Sequence, residues 1–260
     1  DINREVLARH YDAAIFSTGA VDDRDLGIPG IELDGSYGAG EFVAWYDGHP
    51  DFSRTWPLEA EKVAVIGVGN VALDVARVLA KTGDELLPTE IPANVYEGLK
   101  ANKAIEVHVF GRRGPAQAKF TPLELKELDH SPNIEVIVNP EDIEYDEGSA
   151  VARRSSKITD QVATIIENYA IREPKQGAIH KLFLHFFENP VEILGEDGKV
   201  DHQSVSMFID GIAPAQTTEQ PSTPPGFPPA PDLGQGARGT APALNSDALT
   251  QSLKRAVGAT

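Results

Sequence analysis

A chain of 260 residues is long enough for one large domain or two modest ones, either with a real core. Lys and Arg number 23 against 40 Asp and Glu, a formal charge of −17 that repels a nucleic-acid backbone and excludes nucleic acid as the expected partner. Cysteine is absent, which removes disulfides, thiolate metal sites and thiol nucleophiles, so any redox chemistry must be borrowed from a cofactor.

The opening residues, Asp1 to Glu5, show neither an initiator Met nor a signal-peptide charge pattern, and no apolar run reaches the ~18 residues of a membrane span. The expectation is a cytoplasmic fragment. Residues 11–17 form an apolar run closed by Thr18-Gly19 and predict a buried strand. Gly27-Ile28-Pro29-Gly30 marks a turn, and residues 36–60 predict an ordered connector that holds both tryptophans, Trp45 and Trp56.

From Lys62 the pattern sharpens. Val63 to Ile66 predicts a short buried strand, and after Gly67-Val68-Gly69 the polar residues Asn70, Asp74, Arg77 and Lys81 recur at helical spacing among apolar ones. Gly83 suits the C-terminal cap of that helix. An insertion with a short helix at 95–100 precedes a second strand at 105–110, a helix at 123–128, a third strand at 134–138 and a helix at 158–169. Continuous apolar strands alternating with helices predict an α/β fold, a Rossmann-like parallel sheet with helices on both faces. Segments 182–187 and 191–194 are expected as antiparallel strands, with a hairpin turn at Glu196-Asp197-Gly198-Lys199. Between Pro214 and Pro242 lie 8 of the 19 prolines, so the stretch after Val200 is expected to be largely disordered, with a weak helix at 247–257.

Gly67-Val68-Gly69-Asn70-Val71-Ala72 is a Gly-x-Gly-x-x-Ala sequence placed between a strand and a helix, the context that gives such glycines a function. Gly67 permits the tight turn, Gly69 lets the backbone approach a pyrophosphate, and Ala72 lets helix and strand pack closely. The phosphates would then meet the unpaired N–H groups and positive dipole end of the helix. The second strand ends in Phe110-Gly111-Arg112-Arg113-Gly114, with no carboxylate to bind ribose hydroxyls. The gap from Gly67 to Arg112 is 45 residues, and 23 once the 22-residue stretch from Gly83 to Ala104 is removed, close to the spacing of a ribose-binding position. Two guanidiniums there suit a 2′-phosphate, so NADP is expected rather than NAD. Glu124 and Glu127, three apart on the next helix, face one side; a solvated acidic face explains them as well from spacing alone. The seven histidines show no zinc spacing, and no metal is expected.

Four elements then stand in order: Tyr11-Asp12 leading to Ser17-Thr18-Gly19; Ile28-Pro29-Gly30; Gly69-Asn70-Val71-Ala72-Leu73-Asp74-Val75-Ala76-Arg77; and Gly111-Arg112-Arg113-Gly114-Pro115 continuing to Leu123-Glu124-Leu125. Together they resemble the adrenodoxin-type ferredoxin–NADP reductases, flavoproteins related in fold to glutathione reductase, over about residues 8 to 200. The resemblance implies an NADP domain inserted into an FAD domain: residues 1–35 as a remnant of the FAD domain, 36–60 as connector, 61–200 as the NADP domain, and 201–260 as a proline-rich tail foreign to the family. It implies that Gly69, Asn70 and Val71 contact the NADP pyrophosphate region, with Gly67 and Val68 of the same turn as further cofactor-binding candidates, that Arg112 and Arg113 hold the 2′-phosphate, Glu124 is a further NADP contact, Glu127 lies near the nicotinamide in a catalytic role, and Gly19 sits beside the flavin. Electrons would pass from NADPH through FAD to ferredoxin or a similar iron–sulfur protein. The family's FAD fingerprints are missing from these 260 residues, so a truncated chain, inactive by itself, is expected. Arg153, Arg154 and Lys157 are candidates for receiving an acidic ferredoxin. A glutamate-synthase small-subunit-like oxidoreductase and a non-catalytic nucleotide-binding remnant are the alternatives.

Overall fold

The structure, a computed structural model, describes residues 3–15, 23 and 25–200, together with the strand backbone at 205–209. Helix α1 (Arg4–His10) starts where Asn3 Oδ1 accepts the Val6 N–H at 2.9 Å, and none of its residues is buried. The strand expected at 11–17 is corrected over its described part: Tyr11 to Ile15 join no strand ladder among the described residues, and Ile15 is 94% exposed. A strand holds only against a ladder partner. Ser17, Thr18 and Gly19 lie outside the described residues, as do the helix expected at 247–257 and, apart from 205–209, the stretch after Val200 that was expected to be disordered.

Strand β1 (Ser36–Gly38) leads into α2 (Ala39–Tyr46), which buries Phe42 and Trp45. Then come β2 (Lys62–Ile66), α3 (Asn70–Ala80), α4 (Gly83–Leu86) and α5 (Ala93–Lys100). Gly83 is not the cap of α3 but the first residue of α4. Thr82 caps that helix in a reciprocal box with Glu85, and a Cβ on Gly83 would stand 2.9 Å from the Lys100 nitrogen, so glycine serves the close packing of α4 on α5. The chain continues through β3 (Glu106–Gly111), α6 (Pro122–His130), β4 (Ile134–Val138), α7 (Glu147–Ser155) and α8 (Lys157–Ile171). It closes with β5 (His180–Phe186), the short pair β6 (Gly195–Glu196) and β7 (Lys199–Val200), and β8 (Val205–Ile209).

Six strands form one sheet in the order β1-β8-β2-β3-β5-β4, and every pairing in it is parallel. Two expectations change. β5 is parallel and lies between β3 and β4, because α8 carries the chain back to the start of the sheet and its apolar positions Leu182 and Leu184 fall in register with Val107 and Val109. Segment 191–194 forms no strand, and Val191 and Leu194 are exposed. The antiparallel hairpin is β6–β7, closed by Asp197 (φ 52°) and Gly198 (φ 78°), the two left-handed residues that a twisted two-residue hairpin needs. β8 falls inside the stretch expected to be a disordered tail, upstream of its first proline, Pro214; five residues rich in β-formers outweigh the proline-rich composition downstream.

The parallel α/β sheet is as expected, but the helices expected on both faces crowd one face of it among the described residues. Val65, Val109, Leu184 and Val138 point into one cluster with Leu73, Leu79, Leu125 and Ile166. The opposite positions of β3 and β5 are half-buried, and there His108, Phe110, Phe183 and His185 stack: His108 on Phe183 at 4.5 Å, Phe110 on His185 at 4.6 Å. His108 Nδ1 and His185 Nε2 are 3.0 Å apart. Burial holds both imidazoles below their ordinary value; the neighbouring His185 adds to this for His108, while Glu106 opposes it, and Glu188 and Asp142 oppose it for His185. The unfolded chain therefore takes up protons first as pH falls through about 6.5, and stability is full above that value and lost below it. Denaturant midpoints should fall between neutral pH and the window just above carboxylate titration, and the fall should shrink in His108→Phe; an unchanged midpoint across that window refutes the coupling.

Candidate functional site

The site begins where β2 ends. Gly67 has φ 138°, a conformation L side chains rarely adopt, and its N–H donates to the Phe110 carbonyl at 2.9 Å, tying the turn to β3. Gly69 caps α3 without any side-chain hydrogen bond, and the first turn of α3 carries no acidic residue. The opening N–H groups of the helix are thus left for an anion. The Val68 carbonyl accepts the Lys119 N–H at 2.8 Å, and Asn70 Oδ1 accepts the Thr121 N–H at 2.9 Å, so the starts of α3 and α6 are bound together. Glu124 completes this junction: its carboxylate accepts from the Thr121 hydroxyl at 2.7 Å in the capping box of α6.

The end of β3 supplies the other wall. A Cβ on Gly111 would meet Val68 Cγ1 at 2.4 Å, so the side chain of the glycine turn occupies the place where a larger residue would stand. Arg112 and Arg113 follow, both exposed and, among the described residues, in no ion pair. Their loop is pinned from β5: the Glu188 N–H donates to Gly111 O at 3.1 Å and the Phe187 N–H to Arg113 O at 3.4 Å. A cavity of about 310 Å3 opens at these strand ends, lined by Gly67, Val68, Phe110, Arg112 and Arg113, and also by Ile28 and Asn189.

The geometry thus brings Gly67, Val68, Arg112 and Arg113 to one cavity, with Gly69, Asn70 and Val71 at the adjoining helix start. Glu127 does not line that cavity. Its carboxylate pairs with Arg77 at 2.5 Å, and Arg77 also holds Asp74 at 2.6 Å, so Glu127 ties α6 to α3. Burial raises Asp74, against the lowering by Arg77 and with further raising by Glu124 and Glu127. The lining at Ile28 and Asn189 was not legible, because it depends on β5 returning parallel to β3. A larger, shallower hollow of about 650 Å3 is lined by Tyr145, Arg153, Arg154 and Lys157. Within it Arg153 is already engaged by Asp160 at 2.9 Å and Glu167 at 2.5 Å, which leaves little of its charge for a visiting molecule. No cluster of three His, Asp or Glu side chains suited to a metal ion occurs among the described residues.

No family model matches the chain. NADPH-ferredoxin reductase FprA of Mycobacterium leprae is 42% identical to it over 198 residues, 75% of this chain and 42% of that protein. The mitochondrial NADPH:adrenodoxin oxidoreductase of Arabidopsis thaliana is 33% identical over 212 residues, 78% of this chain and 43% of its own length.

The chain is a homologue of part of these reductases.

It spans about 42% of the length of the FprA relative. Mycobacterium tuberculosis FprA, solved in complex with NADPH, superposes on this reductase homologue with a TM-score of 0.68 at 33% identity, over 81% of this chain and 52% of FprA. A second structure of that oxidoreductase, in which NADP+ is covalently modified, gives a TM-score of 0.69. The glycine turn and the arginine loop therefore belong to a reductase homologue whose structural relative was captured with NADPH.

Proposed function

We propose that the chain is the NADP-binding portion of a ferredoxin- or adrenodoxin-type NADP reductase, which draws electrons from NADPH and delivers them by way of FAD to an iron–sulfur protein such as ferredoxin. The observation that carries this reading is the convergence of the glycine turn and Arg112-Arg113 on one cavity at the carboxyl ends of adjacent parallel strands. The 42% identity to an NADPH-ferredoxin reductase supports it over the glutamate-synthase-like alternative.

The residues fit the nucleotide. Gly67 supplies the positive φ of the turn, Gly69, Asn70 and Val71 offer helix-start amides to a pyrophosphate, and Arg112 and Arg113 offer guanidiniums that enter no ion pair among the described residues to a 2′-phosphate. Asn70 and Glu124 keep the two helix starts together, so the phosphate sites hold a fixed spacing. Bound NADPH would supply a hydride from its nicotinamide. The chain's share of the work is to bind and orient the adenosine and phosphate end so that the nicotinamide is held in place. Residues 61–200 form the centre of this unit in the proposal, with residues 1–35 belonging to a flavin portion. The segment read as flanking FAD, Ser17 to Gly19, lies outside the described residues, and no step is derived through the flavin. A cytoplasmic setting, where reduced nicotinamide nucleotide is available, is part of the proposal; among the described residues no helix is long and apolar enough to cross a membrane.

Calorimetry on the 260-residue chain should show NADPH binding at least about tenfold more tightly than NADH, given roughly 1.5–3 kcal/mol per charge-assisted hydrogen bond. Equal affinities overturn the assignment. Reduction of a ferredoxin by added NADPH, with FAD supplied, separates a working reductase from a nucleotide-binding remnant.

A further inference from the structure

We infer that Phe187 is the platform on which the adenine ring of the dinucleotide stacks, an assignment that rests on the NADP reading above. Among the described residues only two besides glycine have positive φ. Asp197 needs it for the β6–β7 hairpin. Phe187, at φ 61°, has no such hairpin to serve, and for a bulky residue this conformation is an outlier that persists only where the surroundings impose it, commonly at ligand sites.

What the left-handed turn does is redirect a ring. Along β5 the side chains alternate, with Phe186 buried under the helices and His185 on the opposite side. Continued extension would send residue 187 to the side of His185. Instead its ring lies against the arginine loop, where a Cβ on Gly114 would come within 2.5 Å of Phe187 Cζ. The Phe187 N–H donates to Arg113 O, and the residue remains 52% exposed although large and apolar. An aromatic surface is thus fixed against the backbone of the arginine loop, with about half of the residue's surface bare.

The chemistry of the ligand points the same way. The adenine is bonded to the same ribose whose 2′-phosphate the arginines would hold, so the base must lie within a few ångströms of that loop. A purine taken from water there needs an apolar, flat partner, and base–aromatic stacking is a strong, sequence-tolerant way to supply one. Phe187 lies against that loop at Gly114 with much of its surface bare, whereas Phe110, which lines the cavity, is already stacked on His185; Asn189, two residues on from Phe187, also lines the cavity.

The test uses 2′,5′-ADP, which carries the adenine and the 2′-phosphate but no nicotinamide, on the full 260-residue chain. Phe187→Leu, which keeps apolar bulk against Gly114, should weaken 2′,5′-ADP about tenfold, within the range for loss of one stacked base. Phe187→Tyr should bind as the parent does. In Phe187→Trp the added indole emission should be quenched by 2′,5′-ADP and unaffected by inorganic pyrophosphate, with thermal melting showing that each variant is folded. Unchanged affinity in Phe187→Leu, or equal losses in the Leu and Tyr variants, overturns the platform while leaving the NADP reading intact. Failure of the parent chain to bind 2′,5′-ADP at all overturns the NADP reading itself.

Discussion

Replacing Arg112 and Arg113 together by alanine is expected to weaken NADPH binding about a hundredfold or more and to leave NADH binding nearly unchanged. Each guanidinium can make charge-assisted hydrogen bonds worth roughly 1.5–3 kcal/mol to a phosphate, and 1.4 kcal/mol is a factor of ten, so two losses multiply. NADH has no 2′-phosphate and has nothing to lose. The fold should survive, because neither arginine enters an ion pair among the described residues, and the loop is held through the backbone oxygens of Gly111 and Arg113. The same phosphate contacts predict that the NADPH preference of the parent chain narrows as salt rises. Calorimetric titration of both nucleotides against parent and double variant checks this. A loss of equal size for NADPH and NADH would place the arginines on the pyrophosphate, and no loss would remove them from the site.

Legibility in the sequence followed physical locality. The β2–α3 unit was readable because everything that defines it is contiguous: the buried run Val63 to Ile66, the glycine turn, and the helical recurrence of Asn70, Asp74 and Arg77. The arginine loop was readable because it closes a strand at the right distance from that turn. What escaped depended on long-range pairing. His180-Lys181-Leu182-Phe183-Leu184-His185-Phe186 alternates in the way of an antiparallel strand, and nothing local reveals that a parallel sheet covered by helices on one face produces the same alternation. With β5 misread, Phe187, Glu188 and Asn189 could not be seen to return to the arginines. The ion pair of Glu127 was hidden for a related reason. Its spacing from Glu124 was visible, but its partner Arg77 is 50 residues away, and the pairing exists only once α3 and α6 pack side by side. β8 escaped because composition was weighed over the whole stretch after Val200, although its five residues precede the prolines.

Gly111→Ala is expected to disturb both folding and nucleotide binding through one contact, and Val68→Ala is expected to repair it. The new Cβ would lie 2.4 Å from Val68 Cγ1, closer than real Cβ contacts allow, and a tight 3.2 Å from Cγ2. Val68 has little freedom to withdraw. Its branched side chain is stiff, its carbonyl accepts the Lys119 N–H, and the preceding Gly67 N–H is bonded to Phe110. Overpacking of this kind costs about 1–3 kcal/mol, which for a chain of this size lowers Tm by roughly 2–12 °C. The strain falls on the turn that presents the helix-start amides, so NADPH affinity should drop together with Tm. Truncating Val68 removes both colliding methyl groups. In Gly111→Ala/Val68→Ala the melting temperature should recover most of the loss, giving a coupling energy far from zero in a double-mutant cycle. Additive effects would show that the two strand ends do not touch. A recovered Tm with persistently weak NADPH binding would show something more specific: that the bulk of Val68 itself sets the distance between the pyrophosphate site and the arginines.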